Sequence, residues 1–210
     1  MLPRRQVSAL AADAHSLYAA QWGGWSAFDG TTWTHHLDMP ELQGLPITAL
    51  CPHNDTLWIG TQGHGLAEIQ GADGIFLRWH DEHNGLSDDW ITTLTWVDDT
   101  LFAGTFVGGM AHWKGHDKKG HDNPVWNTEG TLKTENVTAL EPDGAGGLFI
   151  GTHAGLWHRT ANENLVRVEP VSLSGMSFLD KEVQALCCVD GGLWIGTRTG
   201  LFFCPNSFLK

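Results

Sequence analysis

Charge is sparse in this chain, and basic charge sparser still. Only 17 % of the residues are charged, and 12 Lys and Arg stand against 24 Asp and Glu, a formal charge of -12. A surface of that sign repels a phosphate backbone, which excludes general nucleic-acid binding and disfavours contact with an anionic membrane. Solvated helices draw on Ala, Glu, Lys and Arg, so the same scarcity argues against a helical protein. No apolar run approaches the length of a membrane span, and residues 1–18, despite two Arg, lack the apolar stretch of a signal peptide. Taken as complete, the chain is expected in the cytoplasm. Taken as a domain excised from a sensor protein, it is expected outside, in the periplasm or another extracytoplasmic space.

Recognisable chemistry is also missing. The four cysteines, Cys51, Cys187, Cys188 and Cys204, form no CxxC pair and no zinc-like spacing. Cys51 and Cys187 fall at the same place in two repeats, within strands, where a reduced thiol packs as a small apolar group. There is no G-x-S-x-G elbow, Walker loop, H-E-x-x-H or dinucleotide fingerprint, so the residues call for no cofactor and no metal. Asn54-Asp55-Thr56 and Asn136-Val137-Thr138 match the short N-glycosylation pattern, which is weak without a secretion signal.

What the chain has in abundance is Gly (26), Trp (11, against one Tyr) and internal repetition. Five segments begin near residues 7, 47, 91, 137 and 183. They read VSALAADAHSLYAAQ, ITALCPHNDTLWIGT, ITTLTWVDDTLFAGT, VTALEPDGAGGLFIGT and VQALCCVDGGLWIGT. Their Thr anchors, Thr61, Thr105, Thr152 and Thr197, lie 44, 47 and 45 residues apart, and Gln21 takes the place in the first copy. That period suits a four-stranded propeller blade. Strand A is the V/I-x-x-L stretch, and turn formers such as Asn54-Asp55 and Asp143-Gly144 lead into strand B. Strand B presents Tyr18, Trp58, Phe102, Phe149 and Trp194 at one equivalent position. Gly60, Gly104, Gly151 and Gly196 end strand B where strands converging on an axis leave no room for a side chain. Gly65, Gly109, Gly155 and Gly200 open strand C at positive φ. Strand D is expected around Trp33, Trp79, Trp126 and Val168.

The predicted fold is therefore all-β, a five-bladed β-propeller of four-stranded antiparallel blades in a single domain spanning residues 1–210. Leu2 to Gln6 is placed to complete the outer edge of the last blade and seal the ring. The alternatives are an open fragment of a larger ring and a ring closed by a partner chain.

The string L-W-I-G-T-x-x-G-L at Leu193–Leu201, and with one insertion at Leu57–Leu66, followed by Asn84-Gly85-Leu86-Ser87-Asp88-Asp89-Trp90-Ile91, resembles the two-component regulator propeller repeat. The resemblance covers almost the whole chain. It implies a ligand-sensing propeller of the kind found in extracytoplasmic parts of bacterial membrane sensors, commonly linked to glycans. It transfers no catalytic residue.

In a propeller the B–C and D–A loops share one face, where function is grafted onto a repeated scaffold. Directly after the anchor the copies diverge to Trp22, Gln62, Phe106, His153 and Arg198, with His64 in the same loop as Gln62. Together they offer apolar surface, hydrogen-bonding groups and a fixed cation, suited to a small ligand with a polyol or anionic part. The D–A connections add His35, His36, His80, Asp81, Glu82 and His83, groups able to move protons or hold a divalent ion. His112, in strand C, with His116 and His121 reads as a solvated, charged insertion at the C–D hairpin on the opposite face, with a weak metal or partner patch as the alternative. The first functional reading is thus a binding or sensory module for a small polar ligand, a glycan among them. The alternatives are a protein-interaction scaffold, using patches around Trp22, Trp25 or Trp90, and a lyase, isomerase or metal-assisted hydrolase using the loop-face histidines.

Overall fold

The structure, a computed structural model, describes residues 2, 6–71, 73–114, 125–168 and 182–208. Each repeat folds into one antiparallel sheet whose strands follow chain order. Blade 1 contains β1 (Ala9–Ala12), β2 (Leu17–Gln21), β3 (Gly24–Phe28) and β4 (Trp33–His36). Blade 2 contains β5 (Ile47–His53), β6 (Thr56–Thr61), β7 (Leu66–Gln70) and β8 (Ile75–His80). Blade 3 contains β9 (Ile91–Val97), β10 (Thr100–Thr105), β11 (Met110–Trp113) and β12 (Asn127–Thr128). Blade 4 contains β13 (Val137–Pro142), β14 (Leu148–Thr152), β15 (Gly155–Arg159) and β16 (Leu165–Arg167). Blade 5 contains β17 (Val183–Val189), β18 (Gly192–Thr197) and β19 (Gly200–Pro205), three strands among the described residues. Strand D is shorter than expected in blades 3 and 4: Trp126 stands just before β12 and Val168 just after β16. His116, His121 and most of the 2–6 segment expected to seal the ring lie outside the described residues.

The first strands of the blades pack in sequence, β1 on β5, β5 on β9, β9 on β13 and β13 on β17. Four apolar clusters fill the four spaces between consecutive blades. Alternation explains how one strand serves both neighbours, because successive side chains leave a sheet on opposite faces. Trp58 and Leu66 leave blade 2 towards Ile91, Leu94 and Trp113 of blade 3, while Leu50 and Ile59 point back towards Trp25 of blade 1.

The glycines that end strand B have a more local cause than convergence on an axis. A Cβ built on Gly60 would lie 2.6 Å from Ile91 Cγ2, and one on Gly151 would lie 2.5 Å from Val183 Cγ1. Ile91, Val137 and Val183, which begin strand A in blades 3 to 5, are plugs, and Gly60, Gly104 and Gly151 of the preceding blades are their sockets. Beside it, Thr48 and Thr92 donate hydroxyl hydrogen bonds to the carbonyls of Ile91 and Val137, at 2.6 and 2.5 Å, and Thr138 donates to Val183. Gly65 and Gly109 do adopt positive φ, 73° and 75°. Any side chain there would strike the His80 or Leu132 carbonyl oxygen.

Among the described residues, no comparable packing joins β17 back to β1. Among the described residues the five blades form an arc that is not closed by strand packing, and apolar side chains on its two end faces, Leu10 and Leu201 among them, are exposed. Cys187 shows the consequence. Its counterpart Cys51 packs against the cluster between blades 2 and 3, whereas Cys187, expected to pack likewise, is exposed, because among the described residues no neighbouring blade covers that face of blade 5. All four thiols are free. Burial raises the Cys51 thiol pKa to about 12.

Candidate functional site

The Thr anchors close the B–C loops from within. Thr61, Thr105, Thr152 and Thr197 each donate a hydroxyl hydrogen bond at 2.9–3.0 Å to the carbonyl of the glycine that opens strand C. In blade 1 a side-chain chain, buried at Gln21 and Ser26 and ending at the exposed His35, replaces this. Ser26 Oγ donates to Gln21 Oε1 at 2.8 Å, and His35 Nδ1 lies 2.9 Å from the same hydroxyl.

The residue after the anchor is held through its backbone. The N–H groups of Gln62, Phe106 and His153 donate to the carbonyls of Pro46, Trp90 and Asn136, each the last residue before a strand A. B–C and D–A loops therefore meet on one face, as expected. Because the main chain makes these bonds, the side chain at this position varies without cost to the blade.

On that face the six candidate residues fall into separate stations. Phe106 stacks on Trp90 with centroids 4.2 Å apart and planes at 17°. Gln62, exposed, bridges to Trp90 through the backbone. Asp88 fixes this ledge: Oδ1 accepts from Trp90 N–H at 3.0 Å and Oδ2 from Val107 N–H at 2.8 Å. A second station joins blades 4 and 5, where Glu182 lies 3.3 Å from His153 Nε2 and 3.4 Å from Arg198 Nη1. Trp22 stands apart, in a cleft of about 340 Å³ with Leu37, Asp38, Pro40 and Gln43. His64 is exposed, its ring edge towards Trp79 at 6.1 Å.

Glu182 is the participant that sequence reasoning missed. Its signal was positional, since it immediately precedes strand A of the last copy, where loop residues meet the anchor loop. Asp88 was passed over inside the linker motif.

The D–A histidines do not converge. His36 stacks on Trp25 at 4.1 Å, and His83 is exposed beside Asp81, which caps the turn Glu82–Asn84. His80 is fully buried: its Nε2 meets Glu68 Oε2 at 3.1 Å, and Trp126 Nε1–H donates to its Nδ1 at 3.2 Å. That pattern places the ring proton on Nε2 and makes His80 a structural link. No group of three His, Cys, Asp or Glu side chains suited to a metal occurs among the described residues.

Further clefts open between blades at the other end, where A–B turns and C–D hairpins emerge. One of about 310 Å³ between blades 1 and 2 is bordered by Asp13, Tyr18, Trp25, Asn54 and Asp55. Another, about 510 Å³, lies between blades 4 and 5 beside Asp143, Phe149, His158 and Asn206. Burial pushes the Asp143 carboxyl pKa up. The hydrogen bond from His158 and the N–H groups of Ala145 and Gly147 outweigh it, leaving the group below its ordinary value.

No protein-family model matches the sequence, and no curated protein matches it. Solved structures do. The extracellular domain of BT4673 from B. thetaiotaomicron, assigned to the hybrid two component systems, aligns with a TM-score of 0.74 and 18 % identity over 96 % of this chain and 26 % of that one. The corresponding domain of BT3049 aligns at 0.74 and 18 %, over 96 % and 27 %. The WD40 β-propeller domain of Doa1 aligns at 0.63 and 13 %, over 95 % and 64 %. The chain thus has a β-propeller fold and spans about a quarter of the sensor domains it resembles.

Proposed function

We propose that this chain is a binding propeller module that takes a small polar ligand, a glycan in the first instance, on the face formed by the B–C and D–A loops. The observation that carries the reading is the Gln62–Trp90–Phe106 ledge. A stacked aromatic pair, part-exposed and pinned by Asp88, presents a rigid apolar plane beside an exposed amide. Sugar rings use these two features together, stacking their C–H face on an aromatic plane while a hydroxyl meets an amide. Arg198 adds a largely exposed guanidinium whose remaining donors suit a carboxylate or phosphate group on such a ligand. The extracellular setting of the neighbouring sensor domains supports a sensory role and an extracytoplasmic location for this chain.

The test is titration of the full chain with a panel of neutral and acidic oligosaccharides, followed by tryptophan fluorescence and calorimetry. Phe106→Ala is expected to weaken a binding sugar at least about tenfold, the scale of one lost aromatic contact. Arg198→Ala is expected to weaken acidic sugars selectively. Absence of binding across the panel, or affinities unchanged by Phe106→Ala, would remove the ledge as the site.

A further inference from the structure

The two ends of the arc are built from positions that pack against each other everywhere else in the molecule. Leu10 occupies the strand-A position of Leu50, Leu94 and Leu140, all at most 9 % exposed because each lies against the preceding blade, yet Leu10 is 65 % exposed. Leu201 occupies the strand-C position of Leu66, Met110 and Leu156, all at most 2 % exposed under the following blade, yet it is 67 % exposed. Trp194 and Phe203 widen that apolar patch, and Leu17 widens the one around Leu10.

The plug and socket are likewise divided between the ends. Val7 holds the plug position of Ile47, Ile91, Val137 and Val183, all buried, but is itself 37 % exposed. Gly196 is the socket without a plug: the three atoms nearest a Cβ there all belong to Ala185 of its own blade, the closest at 3.4 Å. Gln184 brings an amide donor to the position from which Thr48, Thr92 and Thr138 bond the next blade.

We propose that the free face of the fifth blade receives the free face of the first blade of a second copy of this chain, head to tail, by the plug-and-socket packing that joins consecutive blades within one copy. The occupant is a second copy because the molecule itself specifies the partner such a face requires. It must carry a strand beginning V/I-x-x-L with an apolar strand B behind it, and the other end of the same molecule carries both, uncovered. The contact is heterologous, so each copy keeps one end free and association is open-ended.

Sedimentation velocity and light scattering on the 210-residue chain across a concentration series test this directly. The average mass is expected to rise with concentration. Leu10→Asp and Leu201→Asp change exposed side chains, so both are expected to fold with unchanged unfolding midpoints and to run as monomers. Their equimolar mixture is expected to form a one-to-one dimer and nothing larger, since one variant keeps an intact last blade and the other an intact first blade. A wild-type chain that stays monomeric, including one closed on itself, would overturn the proposal. So would self-association that survives both substitutions, or a mixture that remains monomeric.

Discussion

Gly60 and Gly196 hold the same place in the repeat and have different surroundings. Adding a methyl group at Gly60 drives it into Ile91, and small-to-large changes in a packed interior cost about 1–3 kcal/mol. Gly60→Ala is therefore expected to lower the unfolding free energy from urea titration by that amount, while Gly196→Ala, whose nearest neighbour is Ala185, leaves it nearly unchanged. Equal losses would show that the glycine serves its own strand instead of the neighbouring blade. Asp143 supplies a second test at this scale. Its depressed pKa means that the folded state binds its proton less readily than the unfolded chain. The stability it contributes is complete above the ordinary carboxylate pKa of about 4 and is lost as pH falls through the lower folded value. Asp143→Asn is expected to be less stable than wild type at neutral pH, with the difference shrinking towards about pH 2 in urea titrations. The glycine positions were legible in the repeat, because their spacing is regular. Their cause was not, since the plug comes from a strand about thirty residues further on. The His158 partner of Asp143 was silent too, since it reaches the A–B turn from strand C of the same blade, 15 residues away.

Strands A, B and C follow the expected pattern closely because each combines period-two alternation with a turn signal and a small residue at its end. Strand D was harder to place. It is the outermost strand, paired on one side only, and its sequences share little beyond an aromatic in three copies, so β12 and β16 shrink to two and three residues. The loop face was legible from topology, and the variable position after each anchor does sit there. Which side chains come together was not legible, because that depends on neighbouring loops: Trp90 reaches Phe106, Glu182 reaches both His153 and Arg198, and Trp22 and His64 remain apart. Asp88 joins two such loops through main-chain N–H groups and is buried. Replacing it by Ala leaves two donors unsatisfied, so a loss of about 1–3 kcal/mol is expected in chemical denaturation. The Trp90–Phe106 ledge should then exchange its amide hydrogens faster. Slow, unchanged exchange at Val107 would mean that the ledge is held by stacking alone.

At the scale of the whole molecule, four interfaces join the five blades among the described residues, and no comparable packing joins the first blade to the fifth. A repeat protein gains stability from each neighbour contact and leaves its terminal units the least supported. Blades 1 and 5 are therefore the ends from which opening is expected to begin. The sequence reading was a ring sealed by Leu2 to Gln6, with an open fragment and a partner-closed ring as its alternatives, since five copies of a blade do not state the angle between them; most of that sealing segment lies outside the described residues. The most direct measurement is hydroxyl-radical footprinting with residue-level mass spectrometry, at a dilution where sedimentation shows a monomer. Leu10, Trp194 and Leu201 are expected to oxidise much faster than their counterparts Leu50, Trp58 and Leu66, which the neighbouring blades cover. Protection of Leu10 and Leu201 in the monomer, at the level of Leu50 and Leu66, would contradict the open arc and show a ring closed between its first and fifth blades.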